Sequence, residues 1–435
     1  NTTGTEHVAV GSLALDANTT GNYNTAVGYN AVTSNTTGSE NTAVGNSSLK
    51  ANTTGANNTA LGLGSLQHST TASFNTAIGH AALYSNTTGA NNTAVGHQAG
   101  TAITTGAENT LVGKAAGTAI TTGGSNVIMG RSAGKLTTTG GDNTAIGRSA
   151  LQNNSTGSSN TALGNDALLA NTTSNNTAVG HNAATANTSG GNVVAVGYKA
   201  LEAHTTANHV TAVGSEALKV NTTGASNTAV GTAALVANTT ASQNTAVGAF
   251  ALDANTTGDN ITAIGFDALG ANTTATNNTA CGSKAANQIT TGANNTAVGF
   301  DALTRCTTGG SNVAVGKDAA DNITTGGNNT CLGHDAGRNI TQGDNNICIG
   351  NDSKISSEAS ANEICIGIGF NGVGSNSFSF GKSSNVVSND FDTNASFARN
   401  SDLHKKTNIE NTDLGLSFIN ELRPVTFNWK SNNEF

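Results

Sequence analysis

The sequence predicts an all-β protein, a parallel β-solenoid of short coils, on three observations. A strand-like unit, NTAVG or a close variant, recurs with its glycine in register from Gly11 to Gly367. There are 22 such glycines, and every interval is 17 residues except Gly164 to Gly180, which is 16. Composition agrees: aromatics are 4%, charged residues 10%, and one proline, Pro424, stands against 54 glycines in 435 residues. A globular core needs large side chains, so a chain this poor in them builds something thin and repetitive. Abundant Val, Ile and Thr with low charge also argue against simple disorder.

Each position of the coil has its own chemistry. Three residues before the glycine the side chain is always β-branched (Val8, Thr25, Ile364), and one before it is always apolar (Val10, Leu61, Met129, Cys281). Side chains two apart on a strand share a face, so these columns point together. The column between them is Ala in 17 coils and Cys in three, with Leu111 and Ile128 in the others, and it never carries charge. Both strand faces are therefore expected to be buried, one in the coil's own interior. The alanine column is expected to lie against something else, most economically a second copy of the chain.

A second strand is expected after the glycine, with Leu or Val four residues on (Leu15, Val32, Leu83, Leu201). Where that residue is Gly or Ala, a bulky one often follows three places later: Gly100 with Ile103, Gly117 with Ile120, Ala286 with Ile289, Ala320 with Ile323, Gly337 with Ile340. Both positions then feed one core slot, which close packing fills once. Two coils depart. At Gly134, Leu136 is expected to substitute; at Ala184 and Asn187, beside the short interval, a packing defect is expected. The NTTG segment reads as the turn. Asn also recurs four before the glycine in 17 coils, which predicts a coil-to-coil amide ladder. Units this small fold only as a stack.

Several function classes recede. Net charge is −8 with no basic cluster along the chain, so no nucleic-acid footprint is expected. No apolar run is long enough for a membrane span, so no membrane insertion is expected either. The chain opens at Asn1 in mid-repeat without Met, as a fragment or processed product would. Residues 1–367 show no catalytic constellation, and no cofactor or metal site is expected.

Cys331, Cys348 and Cys365 fall in the alanine column of three successive coils, where packing, an interchain disulfide and a metal ladder are all open. "GIGFNG", residues 367–372, matches a dinucleotide fingerprint without a following helix and reads as a Gly-rich transition. The N-T-T triplets match the glycosylation acceptor but read as turns. His80, His97, His181 and His334 sit just after the coil glycine at a variable surface position, with no ligand cluster in the sequence. Phe370, Phe378, Phe380, Phe391 and Phe397 gather in residues 369–401, as either a receptor-binding tip or an apolar plug.

The units "NTAVGYNAV" and "NTAIGHAAL" resemble the head repeats of trimeric autotransporter adhesins, whose strands read like NSVAIG. The resemblance covers residues 1–367 and implies a left-handed β-roll assembled as a homotrimer, with the alanine column toward the neighbouring chains. A fully intertwined triple β-helix is the other arrangement.

The tail "NSDLHKKTNIENTDLGLSFINELRPVTFNWK", residues 400–430, resembles the opening of the endosialidase-type intramolecular chaperone of phage tail fibres and tailspikes. Members read S-D-x-R-L-K-x-N-I, a Leu-rich helix, then L-R-P-V-x-F. Ser401, Asp402, Lys406, Asn408 and Ile409 match, as do Leu422, Arg423, Pro424, Val425 and Phe427, while Leu403, His404 and Lys405 lack the usual Arg-Leu. The resemblance implies a short α/β C-terminal segment that stops inside its domain. It also implies self-cleavage between Ser401 and Asp402 after trimerisation, with Ser401 as nucleophile and Lys406 as its base.

The expected organisation is a solenoid shaft over 1–368, a transition or tip over 369–401, and the start of the chaperone over 402–435. The implied function is the structural shaft of a virion tail fibre serving host attachment to a cell-surface receptor. A bacterial surface adhesin or secreted extracellular fibre is the alternative.

Overall fold

The computed structural model describes residues 2–392 and the strand Ala398–Arg399. Three-residue strands, from Val8–Val10 and Thr25–Val27 through Ile347–Ile349, stack in one parallel sheet that continues into Ile364–Ile368. Each pairs with the next coil of the same chain, Thr25 with Thr42, Ala26 with Ala43 and Val27 with Val44. The register survives the short interval, where Ala162 pairs with Ala178. The chain therefore winds its own solenoid of about 22 turns, not one strand of an intertwined helix. The described residues contain no helix. The expected α/β segment lies outside them.

The alanine column corrects the expected facing. Ala26, Ala43, Ala145 and Ala229 are fully buried within one chain, inside their own coils. The β-branched and apolar columns face outward instead, with Val10 57%, Leu61 45% and Ile264 41% exposed. Space is the reason. The leucine column already fills the narrow coil interior, leaving room for little more than a methyl from the strand.

The exceptions support this. A methyl built on Gly100 would lie 2.7 Å from Leu111 Cδ1 and 3.1 Å from Ile103 Cδ1. One built on Gly117 would lie 2.8 Å from Ile120 Cδ1 and 3.0 Å from Leu111 Cδ2. The exchange of core-filling residues is thus real, and the enlarged alanine-column residues take part in it. At Gly134 the expected substitute is wrong: Leu136 is 46% exposed. Ile128 fills the slot, with Cδ1 2.6 Å from where a methyl would stand. Ala184 and Asn187 are both fully buried. Asn187 keeps an amide role, donating to Asn171 Oδ1 (2.8 Å) and Gly190 O (3.0 Å).

The expected second strand forms in the last two coils, where Ser353–Lys354 pairs with Phe370–Asn371, and is a run of turns in the coils before them. The residues two and four after the glycine lie in the left-handed region, as at Ala81 (φ 55°) and Leu83 (φ 50°), so the segment curls rather than extends. Coil-to-coil hydrogen bonding persists through it: Leu83 N–H donates to Ala99 O (3.0 Å) and Ser85 N–H to Thr101 O (3.0 Å). The coil glycine itself is required twice over. Gly79 has φ +130°, and a methyl on it would stand 2.6 Å from the Gly96 carbonyl oxygen one coil on.

Candidate functional surfaces

Two asparagine ladders run up the interior. In the predicted one, Asn41 N–H and Nδ2 both donate to Asn24 Oδ1 (3.0 and 3.2 Å), and Asn24 Nδ2 donates to Gly38 O (2.8 Å). The second was not anticipated. It uses the Asn that opens each NTTG turn: Asn35 Nδ2 donates to Asn18 Oδ1 and Asn52 Nδ2 to Asn35 Oδ1, both at 2.8 Å. These turn asparagines are fully buried from Asn35 to Asn272. Their N-T-T triplets are core turns, closed to a glycosylating enzyme once the coil has formed.

The outer strand face forms a continuous uncharged stripe along the stack. No charged residue occupies its β-branched or apolar column in any coil. The face widens at the end of the stack, where Ile364 and Ile366 pair with Phe378 and Phe380. Phe378 and Phe380 rings lie 5.6 Å apart, and Phe380 is 42% exposed. The antiparallel pair Ser377–Lys382 and Asn385–Asp390 then ends the parallel stack.

The other phenylalanines divide. Phe370 is buried as a plug, in a short strand pairing Phe370 with Ser353, whereas Phe391 is exposed. Phe397 lies outside the described residues. The GIGFNG segment supplies that plug and the strand end, and no helix follows among the described residues.

Glu363 was not singled out from sequence. It replaces Asn at the end of the first ladder and is fully buried. Ser356 N–H donates to its Oε2 (2.6 Å) and Gly374 N–H to its Oε1 (2.8 Å), while its own N–H donates to Asn346 Oδ1 (2.9 Å). One carboxylate thus ties two loops to the last coil. The only legible signal was an acid in an amide column.

Cys331, Cys348 and Cys365 are unbonded, buried and stacked on adjacent rungs. They point into their own coils, which removes the interchain disulfide. A hydrogen bond from its own S–H to the neighbouring sulfur, together with burial, holds each of Cys348 and Cys365 well above the ordinary thiol range. Small, uncharged and fully buried, they fill the places that alanines take elsewhere in the column.

Stacking does bring together residues that looked isolated. His334, Asp318 and Asp335 place potential ligand atoms within 4.8 Å of one another, contrary to the expectation that the histidines join no such group. These acids are already engaged, by His334 Nδ1 (3.1 Å) and Arg338 Nη1 (3.3 Å) on Asp335 and by Lys317 (2.8 Å) on Asp318. A mixed-charge groove nearby, of about 300 Å³, is lined by Asp267, Lys284, Asp301 and Arg305 among others. Among the described residues no helix is long and apolar enough to cross a membrane.

Residues 401–434 match a family model described as Chaperone of endosialidase. No curated protein matches the chain. Ser401, Asp402 and Lys406 fall within the matched segment and lie outside the described residues.

Proposed function

We propose that this chain is the shaft of a homotrimeric tail fibre, carried on a virion and serving host attachment, and matured by a C-terminal intramolecular chaperone. One observation carries the reading: an uninterrupted solenoid of about 22 turns is followed by a chaperone-of-endosialidase match at residues 401–434. A long stack of self-similar coils has a nucleation and register problem that a dedicated trimerisation chaperone solves. The shaft is residues 1–368, residues 369–401 are a transition or tip, and the chaperone begins at 402. Three copies pack through the outer strand face. The shaft's work is mechanical, holding a receptor-binding element away from the particle.

Maturation in this reading is a single scission. Lys406 takes the Ser401 hydroxyl proton as Oγ attacks the scissile carbonyl. The Ser401–Asp402 peptide bond breaks with that proton passing to the Asp402 nitrogen, and water hydrolyses the resulting ester to leave a carboxylate on Ser401. Intact mass spectrometry of the full-length gene product tests it. The expected products are a shaft ending at Ser401 and a fragment beginning at Asp402. Ser401→Ala is expected to give an assembled but uncut trimer, and Lys406→Ala to block the cut as well. An unimpaired cut in Ser401→Ala, or one mapping elsewhere, overturns the assignment.

A further inference from the structure

Charges spaced 17 apart in sequence become neighbours on successive rungs. In the column just after the coil glycine, five consecutive coils carry His80, His97, Lys114, Arg131 and Arg148. The column is held in register by backbone bonds: Gln98 N–H to His80 O (2.9 Å), Ala115 N–H to His97 O (2.9 Å), Ser132 N–H to Lys114 O (3.0 Å) and Ser149 N–H to Arg131 O (3.0 Å). All five side chains are exposed, and the His80 and His97 rings stack with centroids 5.1 Å apart. Lys135 is exposed on the same coil as Arg131.

Little offsets this charge. The residues following the five are Ala81, Gln98, Ala115, Ser132 and Ser149, none of them ionisable. Among the described residues Lys114, Arg131 and Lys135 join no ion pair, and only Arg148, at the column's end, meets an acid, Asp166 at 3.3 Å. The same column lower in the stack behaves differently, for there Lys317 is paired with the adjacent Asp318 at 2.8 Å. A column whose fixed cations Lys114 and Arg131 are both unpaired is a local exception on a chain of net charge −8.

We propose that this column is a docking strip for a linear acidic polysaccharide, aligned with the solenoid axis. The rungs repeat at about 4.8 Å, and an extended glycan advances by nearly the same distance per sugar. Successive carboxylates of such a chain meet successive cations in step. Arg131 and Arg148 offer forked donors that suit carboxylates, and Lys114 offers a point charge between them and the histidines. The stacked imidazoles of His80 and His97 prolong the strip with polar ring edges. Nucleic acid fits less well, since the strip is one residue wide and lacks the groove and aromatic platforms that hold bases. In an assembly of several copies, identical strips add avidity.

Binding of the full chain to immobilised polyglucuronate, with neutral dextran as the blank, tests the proposal. The wild type is expected to bind polyglucuronate and not dextran, and to weaken with added salt. The triple variant Lys114→Gln/Arg131→Gln/Arg148→Gln is expected to bind roughly tenfold more weakly or worse. The charge-matched control Lys199→Gln/Lys219→Gln/Lys284→Gln is expected to stay within about twofold of wild type. Because these side chains are exposed, both variants are expected to keep the wild-type melting profile. If the column variant melts early, Arg131→Gln alone carries the comparison. No binding by wild type, equal losses in the two triples, or equally tight binding of oligothymidylate of matched charge each overturns the proposal.

Discussion

His204 occupies a place in the turn-asparagine column that Asn fills in most coils, and it is fully buried there. Its Nε2 lies 2.9 Å from Ala207 O, and Asn221 Nδ2 lies 3.1 Å from its Nδ1. A ring that donates from Nε2 and accepts at Nδ1 is neutral, so protonation would set two donors against each other. Burial lowers its pKa, partly offset by the Ala207 bond. The unfolded chain therefore takes up the proton first, and stability falls as pH drops through the ordinary imidazole value of about 6.5. His204→Asn is expected to remove this term and keep the ladder bonds. Unfolding midpoints of the two proteins should diverge between about pH 7 and pH 5 with the wild type losing more. Parallel curves would show that His204 does not titrate on unfolding.

At the scale of the coil, the ladders explain where polar atoms are left over. Asn52, Asn86 and Asn272 have buried Oδ1 atoms without partners. In each case the next residue up the column is not Asn: Ser69, Ile103 and Ile289. Asn154 Oδ1 is orphaned where the 16-residue interval turns Asn171 Nδ2 toward Thr173 O (2.8 Å). Ser69→Asn is therefore expected to stabilise by about 1 kcal/mol, by reaching Asn52 Oδ1 and accepting from Asn86; an unchanged or lower midpoint would refute it. The core slot predicts coupling in the same coils. Leu83→Gly alone is expected to cost about 2–5 kcal/mol, and adding Asn86→Ile to recover part of it, since Asn86 is already cut off from the amides on either side. A double mutant whose losses simply add would mean that the two sites share no space. These columns were legible because a fixed period converts sequence spacing into stacking. The facing of the strand was not, because a row of small uncharged residues fits a tight interior and a tight interface equally well. Only the coil's width decides, and that width depends on the turns after the glycine, where Leu83 and its counterparts adopt positive φ against their ordinary preference.

For the whole molecule, the same period both revealed and concealed. It gave the length of the stack, yet it scattered the cationic column and the Asp318, His334 and Asp335 group through the sequence, where nothing marks them as neighbours. The chaperone segment was legible from its own motif, and Ser401 and Lys406, the residues proposed for cleavage, lie outside the described part of the chain. The proposed interface is the outer face, an uncharged stripe along 21 coil intervals at about 4.8 Å, or about 100 Å in all. A surface this long and regular is matched throughout only by something with the same rung spacing, and another copy of the chain has it. Substitutions on the two opposite faces of neighbouring strands separate assembly from folding. Val213→Asp with Val230→Asp places charge on the outer face, where Val230 is 37% exposed in the single chain. This pair is expected to leave the coil intact and yield a monomer near the chain mass of 43.0 kDa by light scattering, against three times that mass for the wild type. Ala229→Asp, next to Val230 in the same strand but on the buried side, puts an unpaired carboxylate into the coil interior and is expected to unfold the neighbouring coils, with loss of β-sheet circular dichroism. A wild type that is already monomeric, or an outer-face pair that still assembles, would remove this face from the interface.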